Sequence, residues 1–110
     1  MKEEIVVHTQ KEFDDIKKNF NGIITIKDTN EEIIVTPRRK ATIKIRGSCH
    51  ATVKETAYVK VYDEAYVKAF DSAFVGAFNH ANIMASNDAS VFAHDYANII
   101  ALNKAYRIYC

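Results

Sequence analysis

Residues 57–104 read AYVKVYDE, AYVKAFDS, AFVGAFNH, ANIMASND, ASVFAHDY, ANIIALNK, followed by AYRIYC. Alanine opens every block, at Ala57, Ala65, Ala73, Ala81, Ala89 and Ala97, and returns at Ala105. The third position is Val59, Val67, Val75, Ile83, Val91 and Ile99. The fifth is Val61, then Ala69, Ala77, Ala85, Ala93 and Ala101. The seventh is Asp63, Asp71, Asn79, Asn87, Asp95 and Asn103. Two weaker blocks precede in the same phase, ATIKIRGS from Ala41 and CHATVKET from Cys49, so one periodic array covers residues 41–104. Glu55 is the exception in the Asp/Asn column.

Alanine at every fourth position could suggest a helix, but the geometry forbids it. Four residues turn a helix by about 400°, so an alanine stripe would drift about 40° per step and circle the axis. The period instead divides by two, the period of a strand. β-Branched and aromatic enrichment points the same way. A strand this long must coil, with each block forming one side of a β-solenoid and the Asp or Asn near the corner, where short polar side chains tolerate tight bends. By parity, Ala, Val and the Asx column face inward; stacked Asn residues could bond in a ladder. Two blocks per turn give 16-residue coils and about four turns, stacked over about 19 Å. Three per turn give fewer, wider coils. The small Ala-Val-Ala core favours two.

Residues 1–40 do not repeat and are read as an N-terminal cap, with residues 41–110 as the solenoid. Glu4 to His8 reads as a strand. Thr9-Gln10-Lys11-Glu12 is a capping box that opens a helix. Phe13, Ile16 and Phe20 share one helical face, and Asn21-Gly22 ends the helix. Strands are expected over Ile23 to Ile26 and Ile33 to Val35. Repeat arrays expose unpaired edges at their ends, which atypical terminal units cover. Here the three apolar helix residues would cover the first coil. The fold class is therefore mainly β, a β-solenoid of eight-residue repeats with a small α/β cap.

At 110 residues the chain is one domain, and its 48% hydrophobic content suffices for a folded core. A net charge of +1 excludes a strongly basic nucleic-acid wrapper and an acidic DNA mimic. No run of eighteen apolar residues encodes a membrane span, and the acidic start at Glu3-Glu4 is unlike a secretory signal. Cys49 and Cys110 are too few for a disulfide framework, so free thiols and a cytoplasmic location are expected. A bond between chains through Cys110 is the oxidising alternative. His8, His50, His80 and His94 have no metal-ligand spacing, and no cofactor or metal is expected.

The blocks resemble the alanine-rich octapeptide-repeat proteins of bacteria and their phages, with the pattern A-x-V-x-A-x-D/N-x. The resemblance spans roughly residues 20–105. It implies a β-solenoid in a bacterial host and no catalytic motif. Hexapeptide acyltransferases and pentapeptide-repeat gyrase mimics have other periods. By analogy of size and fold, the resemblance suggests a phage or mobile-element inhibitor, in the manner of anti-CRISPR proteins, that occludes a host defence protein.

The outward positions carry the functional expectations. Tyr58, Tyr62, Tyr66, Phe70, Phe74 and Phe78 would form a protein-binding face or a homo-oligomer contact, since large exposed apolar patches mark interfaces. The alternative is packing under the cap or against one another in cross-strand ladders. Arg38, Arg39, Lys40, Lys44 and Arg46 form a basic run that could contact phosphates or an acidic protein patch, or simply guard an edge. Catalysis is not expected: no nucleophile motif or phosphate loop appears. His94 and Asp88 face outward by parity and Asp95 inward. Competing readings are a self-assembling structural solenoid and, further off, a nucleic-acid-contacting module.

Overall fold

The computed structural model describes residues 3–38, 40–102 and 105–109. In chain order these form β1 (Glu3–Val7), α1 (Gln10–Asp14), β2 (Gly22–Ile26), β3 (Ile33–Val35), β4 (Thr42–Ile45), β5 (His50–Val53), β6 (Tyr58–Val61), β7 (Tyr66–Ala69), β8 (Phe74–Ala77), β9 (Asn82–Ala85), β10 (Ser90–Ala93), β11 (Asn98–Ala101) and β12 (Tyr106–Tyr109). Alternate strands fall into two sheets. One is ordered β1-β2-β4-β6-β8-β10-β12 and the other β11-β9-β7-β5-β3. Every pairing is parallel, and in the array the partners lie sixteen residues apart, as in Tyr58↔Phe74 and Tyr66↔Asn82. Two octapeptides therefore make one turn of a flattened β-solenoid. No helix among the described residues is long and apolar enough to cross a membrane.

The lumen explains the alanines. Val59, Val75 and Val91 stack along one sheet and Val67, Ile83 and Ile99 along the other, with Ala65, Ala73, Ala81 and Ala89 at the corners, all buried. In the seven-stranded sheet the inward column Ile26, Ile45, Val61, Ala77, Ala93 shrinks from the first coil towards the last, while in the five-stranded sheet the column Ala51, Val67, Ile83, Ile99 grows. Turn length shrinks along the coil: Glu3 pairs with Gly22 and Ile23 with Thr42, nineteen residues on, before the spacing settles at sixteen. The nineteen-residue turn encloses more volume, which Ile24, Ile26, Ile43 and Ile45 fill; in the later sixteen-residue turns alanine sits beside valine or isoleucine, as in Ala77 beside Val75 and Ala85 beside Ile83. Close packing requires that match at each rung.

The corners are tight turns. The Ala65 N–H donates to the Tyr62 carbonyl (3.3 Å), and the same bond recurs at Ala73, Ala81, Ala89 and Ala97. The residue after the turn opens takes positive φ: Glu55, Asp63, Asp71, Asn79, Asn87 and Asp95 lie at 53–60°, and Gly47 at 75°. Short polar side chains and glycine accept this left-handed conformation most readily. The inward expectation for the Asx column is thus corrected. These residues are exposed, because strand parity ends where the backbone turns left-handed. A ladder does form, chiefly from side chain to backbone. The N–H groups of Gly47, Asp63 and Asn79 donate to Asp63 Oδ2, Asn79 Oδ1 and Asp95 Oδ2 at 2.9–3.0 Å, each one coil further on. Asn103 lies outside the described residues.

The leader enters the same two sheets, β1 and β2 in one and β3 in the other. Thr9 caps α1: its Oγ1 accepts from the Glu12 N–H (3.1 Å), while Glu12 Oε1 accepts from the His8 N–H (2.8 Å). The helix expected to run to Asn21-Gly22 ends at Asp14, with Asp15 as its C-cap, so Ile16 and Phe20 lie in the connection to β2; Phe13 and Ile16 are still buried against the first coil and Phe20 is half-buried. At Gly22 a Cβ would lie 2.3 Å from the Glu3 carbonyl oxygen and 2.8 Å from the Phe20 ring, so only glycine lets β1, β2 and the Phe20 loop meet. Gln10 closes the edge of β3: its Nε2 donates to the Ile34 carbonyl (3.0 Å) and its Oε1 accepts the Ile34 N–H.

Candidate interaction surface

Outward side chains at sixteen-residue spacing stack in columns. On the outer face of the seven-stranded sheet three rungs follow one another: Tyr58, Lys60, Tyr62; then Phe74, Gly76, Phe78; then Ser90, Phe92, His94. The third member of each rung continues the ladder just past its strand, with N–H bonds of 2.8 Å to the coil before. Tyr58 stacks on Phe74 (5.2 Å between ring centroids), which meets Phe92 at 4.7 Å. Beside them Tyr62 stacks on Phe78 (5.0 Å) and Phe78 on His94 (4.6 Å, 2° between planes). The Arg46 guanidinium covers the other end, 4.4 Å from the Tyr62 centroid. Gly76 sits at the centre of the nine positions and is buried. A side chain there would stand beside the Phe78 ring, 3.5 Å from the first added carbon.

Each such ring pair contributes about 0.5–1.5 kcal/mol beyond simple burial. The ladders therefore hold successive coils in register. They leave ring edges facing solvent: Tyr58 is 49% exposed and the other ladder rings are half-buried. Around the adjoining corner His80 stacks on Tyr96 at 5.4 Å, and Tyr96 is 76% exposed. The ladders on the sheet face and the His80–Tyr96 pair at the corner are separate ring stacks.

Four of the six aromatics singled out from sequence, Tyr58, Tyr62, Phe74 and Phe78, lie on this sheet face. The other two lie elsewhere. Tyr66 is on the five-stranded sheet, stacked on His50 (5.5 Å), beside the pair in which Asn98 Nδ2 donates to Asn82 Oδ1 (3.1 Å). Phe70 sits at the turn after β7 and is half-buried. Phe92 and His94 join the four on the face and Tyr96 stands at the corner; none of the three is among those six. The sixteen-residue spacing is the sequence signal that places Phe92 and His94 here, since it relates residues down the coil and not along the chain.

The basic run is split by the fold. Arg38 is buried, with its guanidinium 4.5 Å from the Phe13 centroid. Its Nη1 donates to Thr36 Oγ1 (2.8 Å) and the Pro37 carbonyl (3.0 Å), and its Nη2 to the Phe13 carbonyl (3.4 Å). That places it between α1 and the chain leading into the array. Arg39 lies outside the described residues, as does Cys110. Lys40 is exposed and lines a cleft of about 520 Å³ with Lys18, Asn19, Thr36, Pro37 and Glu55. Lys44 and Arg46 share the outer face of the seven-stranded sheet, and Arg46 is committed to Tyr62. Cys49 is buried at an alanine position of the lumen.

Among the described residues no three His, Cys, Asp or Glu side chains converge where a metal ion could sit. Asp88 and Asp95 are exposed, each on its own corner, and His94 is engaged with Phe78. The arrangement offers flat aromatic contact and backbone edges. Compared with protein-family models, with curated proteins and with solved structures, the chain finds no match.

Proposed function

We propose that this chain is a non-catalytic protein-binding solenoid whose contact surface is the aromatic ladder of the seven-stranded sheet. The carrying observation is the pair of ring stacks on one sheet face, Tyr58, Phe74 and Phe92 beside Tyr62, Phe78 and His94. Rigid rings on a stiff parallel sheet lose little freedom on binding, and tyrosine and phenylalanine are common interface anchors. The finer proposal, a phage or mobile-element inhibitor acting in a bacterial cytoplasm on a host defence complex, rests on the octapeptide resemblance and on size. Nucleic-acid contact has less support, since Arg38 is buried and Arg46 is stacked.

The test compares two variants of the tagged protein in quantitative pulldown from bacterial lysate. Phe74→Ser/Phe78→Ser should lose at least tenfold of a captured partner, while Tyr66→Ser on the other sheet should retain it, with far-UV circular dichroism unchanged in both. Equal capture by both variants would sink the proposal. Self-association is the second reading. It is favoured by exposed Ile100 (55%) and Ile108 (39%) on the last two strands and Leu102 (46%) just after β11. Sedimentation velocity of the same samples separates the two, because that reading expects a concentration-dependent mass that the ladder variant leaves intact.

A further inference from the structure

The face that carries the aromatic ladders is uneven in charge along the solenoid. Lys44, Arg46 and Lys60 take outward positions on and just past β4 and β6, and the rings of β8 and β10 follow them. No outward position from β4 to β10 on this sheet holds a carboxylate. Among the described strand residues of the sheet the one outward carboxylate is Glu4 of β1, and it accepts from Thr25 Oγ1 (2.6 Å). Lys44 and Lys60 are register partners on neighbouring strands. Of the described strand registers, only this one sets two like charges opposite each other; on the other sheet Lys68 stands between Thr52 and Met84. Like charges directly opposed across strands destabilise a sheet. Among the described residues neither ammonium group has an ion-pair partner, the one such pair being Lys11–Asp15 at α1. A carboxylate laid over both lysines would relieve that repulsion.

The rings present the same sign. Within each ladder they turn their faces towards one another, and Arg46 covers the end of one ladder at Tyr62, so edges meet the solvent. The edge is the positive side of a ring quadrupole. We infer that the partner of the ladder face is an acidic protein segment, with carboxylates over Lys44 and Lys60 and apolar side chains beyond them against Phe74 and Phe78. The inference rests on the ladder being the contact surface, and it names the chemistry of what binds there. Nucleic acid fits less well. Lys44, Arg46 and Lys60 match few phosphates, and rings stacked on one another leave little face for a base.

Fluorescence anisotropy of the full chain tests this with four labelled probes: the peptides DDEEFFLL, KKKKFFLL and DDEEGGSS, and an oligothymidylate. DDEEFFLL should bind at least tenfold more tightly than each of the others, and more weakly as salt rises. Lys44→Gln/Lys60→Gln should lower its affinity at least tenfold, and Lys44→Glu/Lys60→Glu should turn the preference to KKKKFFLL. Lys54→Glu/Lys68→Glu, the same charge reversal on the other sheet, should shift affinity less than threefold. Phe74→Ser/Phe78→Ser should lose at least tenfold. Should a lysine variant not fold, amide shifts in the unsubstituted protein decide: DDEEFFLL must move those of β4, β6 and β8 and leave those of β7 and β9. Loss in the phenylalanine variant with the lysine variants unchanged would keep the ladder as contact surface and overturn the acidic partner alone. Loss in the lysine variants with the phenylalanine variant unchanged would overturn both. Oligothymidylate binding as tight as DDEEFFLL, no binding of DDEEFFLL, an equal loss in Lys54→Glu/Lys68→Glu, or a dimer of the chain abolished by Lys44→Glu/Lys60→Glu would each overturn the inference.

Discussion

At each corner one residue bears the cost of the bend. A left-handed conformation costs an ordinary L-residue about 1–2 kcal/mol, less for Asn and Asp, whose short side chains bond locally. Asp63, Asn79 and Asp95 offset that cost by accepting the N–H of the coil before, and a neutral Asn separates the two carboxylates of the column. Glu55 has the same φ of 60° with a longer side chain. Its N–H donates to Asp71 Oδ2 (3.1 Å), a bond that does not depend on its own side chain. Glu55→Asn should therefore stabilise the protein by about 1 kcal/mol. Urea unfolding should show a higher midpoint at unchanged slope; a lower midpoint would refute the corner account. The Asx column was plain in the sequence, and so was its place near a bend. Its direction was not, because strand parity cannot be carried past a left-handed residue.

Strands are specified here by what fits inside them. Ile26 and Ile45 face each other across a nineteen-residue turn, and Ala77 and Ala93 across one of sixteen. Ala77→Leu should overfill its rung and cost about 1–3 kcal/mol. Leucine placed at outward Lys68 of β7 should change stability by no more than about 0.5 kcal/mol. Thermal or urea unfolding of the two variants checks the contrast, and equal effects would mean that the rung is not closely packed. The inward set Val59, Val67, Val75, Ala69 and Ala77 could be read from alternation alone. The outer face was harder. Six aromatics consecutive in sequence divide between two sheets, and only pairing by sixteen brings Phe92 and His94 to Phe74 and Phe78. Nor did Arg38 look internal, since a basic run ordinarily stays in water; its burial depends on the distant Phe13, which supplies a ring and a carbonyl, together with acceptors on the adjacent Thr36 and Pro37.

For the whole molecule, the choice that matters is how many octapeptides make a turn. Two give a flattened coil whose faces differ: an aromatic grid on one, and on the other the Asn82–Asn98 pair and the His50–Tyr66 stack. Three would have scattered the same side chains over three faces and broken every ladder described above. The functional proposal thus depends on the sixteen-residue turn. Nuclear Overhauser contacts between the Hα and amide protons of neighbouring strands test it directly in solution. They should connect Val59 with Val75 and Val75 with Val91, and on the other sheet Val67 with Ile83, each pair sixteen residues apart. Contacts at a spacing of twenty-four, or at the three-to-four spacing of a helix, would contradict the account.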